Sequence, residues 1–174
     1  VNSIGDRPRL FFKDEILVVF PDCSQPQVKN AMHIFPAPPQ EATKALLASC
    51  SLPTQDLTEE HFQHFFGCGD ESNPAGVVCV EVLGSVGLLR SLAVAEAARG
   101  SGCGKRLIQE AELHAVTQGI QELYLLTSTA RPLFESVGYV ATSRDTAPPA
   151  IRATAEFSSI CPASATLMHK RIAA

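Results

Sequence analysis

Leu92-Ala93-Val94-Ala95-Glu96-Ala97-Ala98-Arg99-Gly100-Ser101-Gly102-Cys103-Gly104-Lys105 is the stretch on which the reading of this chain turns. An apolar run leads into glycines at positions 100, 102 and 104, and a helical pattern follows. Alternating glycines let the backbone turn so that several N–H groups point inward, and the next helix adds the positive end of its dipole. The loop is therefore predicted to cradle an anion. Two common nucleotide loops fail on spacing. A Walker A loop needs Gly five residues before its Gly-Lys pair and Ser or Thr after it, but Arg99 and Arg106 stand there. A G-x-G-x-x-G fingerprint started at Gly100 or Gly102 would place its third glycine on Lys105 or Leu107.

Upstream, Ala75 to Leu83 and Val86 to Val94 read as strands joined by Gly84-Ser85, a two-residue hairpin turn. Downstream, Lys105 to Gln118 reads as a helix with Leu107, Ile108, Ala111 and Ala115 on one face and Gly119 closing it. Leu123 to Leu126 is a buried strand after it. Strand, loop, helix and strand make a crossover unit, so the strands flanking it are expected to be parallel in an α/β sheet that also holds antiparallel pairs.

Further out, Met32 to Phe35 is a short strand and Gln40 to Cys50 a helix with Leu46 and Leu47 inward. Thr58 caps a next helix whose face carries Phe62, Phe65 and Phe66 and which ends near Gly67. After Leu126 come a short helix (Pro132 to Ser136), a strand opened by Gly138-Tyr139, an irregular stretch from Asp145 to Ala165, and a closing strand from Thr166 to Ile172. Residues 1–30 read as an N-terminal extension with no assigned role, able to add an edge strand around Ile16 to Phe20, and residues 31–174 as the domain.

At 174 residues the chain is the size of one domain. Its 45% hydrophobic and 18% charged residues describe a globular protein without a membrane span. A net charge of −4 and no Lys/Arg run longer than two residues offer no attraction to nucleic acid or anionic lipid. The six cysteines are scattered with no C-x-x-C pair, so free thiols in a reducing cytoplasm are expected rather than a disulfide framework. His61 and His64, three apart, have no second pair to complete a metal site, and a solvated face is the expected reading.

The segment Arg99-Gly100-Ser101-Gly102-Cys103-Gly104 resembles the cofactor motif of the GNAT acetyltransferases, Arg/Gln-x-x-Gly-x-Gly/Ala after a strand. The resemblance implies a twisted, mostly antiparallel sheet with a parallel central pair flanked by helices. It also implies acetyl-CoA as cosubstrate. Leu92, Ala93 and Val94 would bond the pantetheine arm through their main chain, and Arg99 through Lys105 would hold the pyrophosphate. A closer resemblance rests on Leu88-Leu89-Arg90-Ser91-Leu92, Leu123-Tyr124-Leu125-Leu126-Thr127, Phe134-Glu135-Ser136-Val137-Gly138-Tyr139, Ala150-Ile151-Arg152-Ala153-Thr154-Ala155-Glu156-Phe157 and Cys161-Pro162-Ala163-Ser164-Ala165. These look like the GNAT branch associated with arsenic-resistance gene clusters, which implies a small amine acceptor, amino-acid-like or arsenical. Many GNAT enzymes carry at the position of Phe134 a Tyr that protonates the departing thiolate; the resemblance places Phe134 against the cofactor here, but without that acid. GNAT folds often dimerise, though no heptad or exposed apolar stripe imposes it here.

The Gly84-Ser85 turn sets Leu83 opposite Val86, Glu81 opposite Leu88 and Cys79 opposite Arg90, so Glu81 and Arg90 share a sheet face as diagonal neighbours. Arg90 is a candidate clamp for a substrate carboxylate. Glu81, its pKa raised between Val80 and Val82, is the candidate base for the amine. An internal salt bridge that orders the sheet is the alternative. Arg152 and Glu156, four apart, are read either as substrate contacts or as an exposed ion pair. Thr127, with Ser128 and Thr129, ends a strand where hydroxyls could orient the acetyl group or simply make a turn. Three activities fit: an N-acetyltransferase acting by direct attack in a ternary complex, a catalytically silent CoA-binding module, and a thiol-based arsenic binder, which the dispersed cysteines support least. No metal is expected.

Overall fold

The computed structural model describes residues 33–173. Seven strands form one sheet in the order β1-β2-β3-β4-β5-β7-β6. They are β1 (Ile34–Pro36), β2 (Phe65–Gly69), β3 (Pro74–Leu83), β4 (Val86–Val94), β5 (Glu122–Thr127), β6 (Val140–Thr142) and β7 (Thr166–Arg171). Every pairing is antiparallel except β4 with β5. This is the expected mixed sheet of the GNAT type, and the parallel pair lies at its centre because α3 (Cys103–Thr117) carries the chain across between those two strands. The extension at residues 1–30, its suggested edge strand, and Met32 lie outside the described residues.

The hairpin register is the one the turn residues predict: Leu83 opposite Val86, Glu81 opposite Leu88, Cys79 opposite Arg90. Alternation along β3 splits its side chains between two layers. Val78 and Val80 pack with Leu107, Ile108 and Ala111 of α3. Val77 and Cys79 face Leu47 of α1 (Gln40–Ser49) and Phe62 of α2 (Glu59–Phe62). A third cluster, Leu88, Tyr124, Leu167 and Ile151, lies beneath α5 (Pro149–Arg152).

The helix expected to run from Thr58 to Gly67 is corrected. It stops at Phe62, and Phe65–Gly69 is strand β2. Phe65 enters the α1/α2 layer while Phe66 enters the α3 layer, the two-residue alternation of a strand. Gly67 permits this: an added Cβ would sit 2.4 Å from the Phe35 ring on the neighbouring strand. The stretch 145–165, read as irregular, holds α5 and a π-helical turn, Glu156–Ile160.

Gly76 is a close-approach position of the same kind. A Cβ there would meet Cys103 Sγ at 2.6 Å and Leu107 Cδ1 at 3.0 Å, at the base of the helix that follows the glycine loop. Gly76→Ala is expected to destabilise the protein by about 1–3 kcal/mol through overpacking, read as a lowered Tm in thermal denaturation.

Candidate active site

The ladder between β4 and β5 runs only over Val86–Glu122, Gly87–Leu123 and Leu88–Tyr124. Beyond it the two strands part. β4 also carries an irregularity against β3 between Val77 and Cys79, with Ser91 buried at φ 55°. A β-branched or bulky residue would hold that left-handed backbone at a cost. The parted strands open two connected cavities that share Leu52, Leu92, Thr129 and Ala130.

The first cavity, about 680 Å³, runs from Leu92, Ala93 and Val94 to the glycine loop and the start of α3. Gly100 and Gly102 sit at φ 78° and 91°, the left-handed region open to glycine. Gly102 caps α3, and the N–H groups of Gly104 and Lys105 fall in the first turn, where a helix offers them no carbonyl partner. Ser101 lies outside the lining; its hydroxyl donates to Ala98 O at 2.6 Å and accepts from the Cys103 N–H at 3.4 Å, holding the loop in shape. Arg99 Nε donates to Val94 O at 3.2 Å. Burial, with Cys68 beside it, pushes the Cys103 thiol up to about 12. The loop residues Arg99, Gly100, Gly102, Cys103, Gly104 and Lys105 all border this one cavity.

The second cavity, about 360 Å³, lies where β4 and β5 separate. Thr127, Ser128, Thr129, Phe134 and Arg90 line it, and so does the late segment through Glu156, Ile160, Cys161 and Pro162. Thr127 Oγ1 accepts from the Ala130 N–H at 2.9 Å and so also shapes the turn into α4 (Arg131–Glu135). Phe134 is buried and meets Tyr139 edge to face, leaving no phenol at that position.

Behind this cavity lies a buried charge cluster. The side chain of Arg90 is 1% exposed. Its Nη1 donates to Glu81 Oε2 at 3.1 Å, its Nη2 donates to Asp56 Oδ2, and Glu156 Oε1 stands 3.9 Å from the same Nη2. Burial works against the Arg90 charge, yet Glu156, Asp56 and Glu81 together raise its pKa. Sequence reading paired Glu81 with Arg90 correctly and missed Asp56, which sits in the loop between α1 and α2.

Two expectations within the cluster change. Glu81 was expected to titrate high between apolar neighbours; burial does push it up, but hydrogen bonds from His61 and Arg90 outweigh that and lower it. His61 Nδ1 accepts the Thr58 N–H at 3.0 Å at the helix cap, which turns Nε2 toward Glu81 Oε2 at 3.6 Å. His61 is therefore a half-buried partner of the cluster rather than part of a solvated face. His64 leaves the helix and meets His114 at 2.8 Å. Glu156 is the carboxylate that titrates high, at about 7, because burial and the charges of Asp56 and Glu81 exceed the help from Arg90.

Arg152 and Glu156 do not share a face. Helix α5 ends at Arg152, which is exposed, and the chain turns at Ala153 and Thr154 before a π-helical turn, Glu156–Ile160, closed by Cys161 N–H to Glu156 O at 2.9 Å, begins with Glu156 buried. Among the described residues no group of three or more His, Cys, Asp or Glu could hold a metal ion. Nor is any helix there long and apolar enough to cross a membrane.

A sheet parted beside its central parallel pair, with a glycine loop and helix start at the mouth of the gap, is the architecture of the GNAT fold. Residues 61–141 match the family described as acetyltransferase (GNAT) domain. Solved structures agree on the fold. N-acetylglutamate synthase from Neisseria gonorrhoeae, complexed with coenzyme A and N-acetyl-glutamate, superposes with a TM-score of 0.69 at 20% identity over 82% of this chain and 35% of that one. Rv2747 from Mycobacterium tuberculosis, in complex with CoA, gives 0.67 at 17% identity over 80% and 98%. An acetyltransferase of the GNAT family from Staphylococcus aureus Mu50 gives 0.65 at 16% over 82% and 99%. The chain therefore spans about a third of the gonococcal synthase. No curated protein matches it in sequence.

Proposed function

We propose that the protein transfers an acetyl group from acetyl-CoA to the amine of a small acceptor, by direct attack with both bound. The observation that carries this reading is the junction of the two cavities at Leu52, Leu92, Thr129 and Ala130. One cavity has the amide cradle for a pyrophosphate and the other ends on ionisable side chains. The CoA ligands of the gonococcal synthase and of Rv2747 support the assignment of the first. Acetyl-CoA would supply the acyl group as a thioester.

Glu156 suits the proton acceptor better than Glu81, because it lines the acceptor cavity and ionises near neutrality. It takes the proton that the ammonium must lose; the C–N bond then forms as the C–S bond breaks. The thiolate leaves without a side-chain acid, since Phe134 stands where one is usual, and takes through water the second proton, which the nitrogen sheds as the amide forms. Glu81 and Arg90 hold position behind Glu156. A covalent acyl-cysteine is disfavoured by the thiols present: burial and Glu156 push Cys161 up to about 11, and Cys103 lies in the pyrophosphate loop. The likeness of residues 150–165 to the arsenic-associated branch adds amine-bearing arsenicals to the acceptors worth testing.

Acetyl-CoA-dependent thiol release across an amine panel tests the proposal. The rate is expected to rise with pH through about 7 as Glu156 ionises and becomes able to accept a proton. In Glu156→Gln that limb should vanish and kcat should fall roughly 100-fold or more. CoA binding without release from any acceptor would instead favour a silent binding module.

A further inference from the structure

We infer that the acceptor pocket is built for a primary amine bound as its ammonium and carrying no carboxylate next to the amino group. This rests on the acyltransferase reading and names the substrate class of that same site. The first ground is that Arg90 is already engaged. With its side chain 1% exposed and both terminal nitrogens on Glu81 and Asp56, it cannot turn toward a substrate carboxylate without leaving one of them buried and unpaired.

The second ground is the sign of the walls. The acceptor cavity and a third, more open one that meets it at Ser51, Leu52, Pro53 and Ile160 have as charged lining residues Arg90 and Glu156 in the former and Asp56 in the latter. Glu81 and His61 complete the cluster behind them. A further cation, Arg144, is tied to the carbonyls of Phe157 at 2.8 Å and Ala165 at 3.4 Å and lies over the Phe157 ring. Three carboxylates thus face one guanidinium and one imidazole.

The third ground is unused acceptor capacity. Asp56 Oδ1 is buried without a hydrogen-bond partner and without open surface, so it acts on the pocket through its charge alone. Glu156, 9% exposed, lines the cavity and reaches Arg90 only at 3.9 Å. An ammonium brings three N–H donors and a positive charge to such lone pairs, whereas a carboxylate brings neither. Arg90 Nε is also unpartnered, a single donor set against these acceptors. A substrate carboxylate placed there would meet like charges in a low-dielectric pocket, which costs several kcal/mol, on the order of a hundredfold or more in affinity.

The test compares matched pairs in thiol release with acetyl-CoA: phenylethylamine with phenylalanine, agmatine with arginine, and an amino-acid amide with its parent acid. The decarboxylated or amidated member is expected to have at least a tenfold higher kcat/KM, expressed mainly in KM. Asp56→Asn should shrink that ratio by raising KM for the amine alone; if it folds poorly, Glu156→Gln read by equilibrium binding of the same amines gives the same comparison. Parent amino acids used equally well or better would overturn this inference and leave the acyltransferase reading standing. CoA binding with no release from any member would take both down.

Discussion

Arg90→Ala is expected to cost about 3–5 kcal/mol of stability at neutral pH, measured by urea unfolding. The substitution leaves Asp56, Glu81 and Glu156 facing one another with only His61 to offset them, inside a layer whose other members are Val77, Cys79 and Leu88. The pH dependence has a defined sign. Glu81 titrates below its unfolded value of 4.5 in the native protein, so its contribution is complete above 4.5 and is lost as pH falls through the lowered native value. Removing Arg90 takes much of that contribution away. The gap between wild type and variant should therefore narrow as the solution is acidified below about 4.5. A gap under about 1 kcal/mol at neutral pH would mean that water reaches the cluster freely.

Gly104→Glu should weaken CoA binding by roughly 100-fold or more while leaving the protein folded, because it sets a negative side chain in a cradle built for pyrophosphate. Gly104 lies in the first turn of α3, and an added Cβ would be 3.7 Å from Val94 Cγ2 and 3.9 Å from Leu133 Cδ2, ordinary contact distances. Gly104→Ala is the control. It should be as stable as the wild type or slightly more so, since alanine favours the helix by about 1 kcal/mol. Calorimetric titration with CoA separates the outcomes, and equal affinity in the Glu variant would move the pyrophosphate away from this loop.

The parts of the fold legible in the sequence were those governed by local rules. Gly84-Ser85 fixed a hairpin register that put Glu81 and Arg90 in contact, and the glycines at 100 and 102 marked a backbone few other residues would adopt. The spacing of Phe62, Phe65 and Phe66 satisfied a helical face as well as it satisfied the end of one element and the start of another. Contacts between distant segments decide for the strand: pairing with β1 and β3, and the Phe35 ring against Gly67. Asp56 was invisible because it lies in a loop with no periodicity and acquires its role from β4. Arg152 and Glu156 misled for a different reason: the four-residue rule assumes one continuous α-helix, and α5 ends at Arg152, with a turn at Ala153 and Thr154 before the next helical turn begins. The direction of the Glu81 shift depended on His61, brought in by a capping interaction that the sequence suggested but whose other ring nitrogen it could not aim.

The parting of β4 and β5 after Leu88 leaves an unpaired main-chain edge in the middle of the sheet rather than at its rim. A pantetheine arm bonded to Leu92–Val94 would act as a surrogate strand there, so the protein's resistance to local opening should track thioester supply. Each tenfold excess of ligand over its Kd adds about 1.4 kcal/mol to that resistance. Slow amide exchange spreading along β4 on ligand addition would be its visible trace, and starvation for the thioester would expose the same edge to proteases and to other unpaired strands.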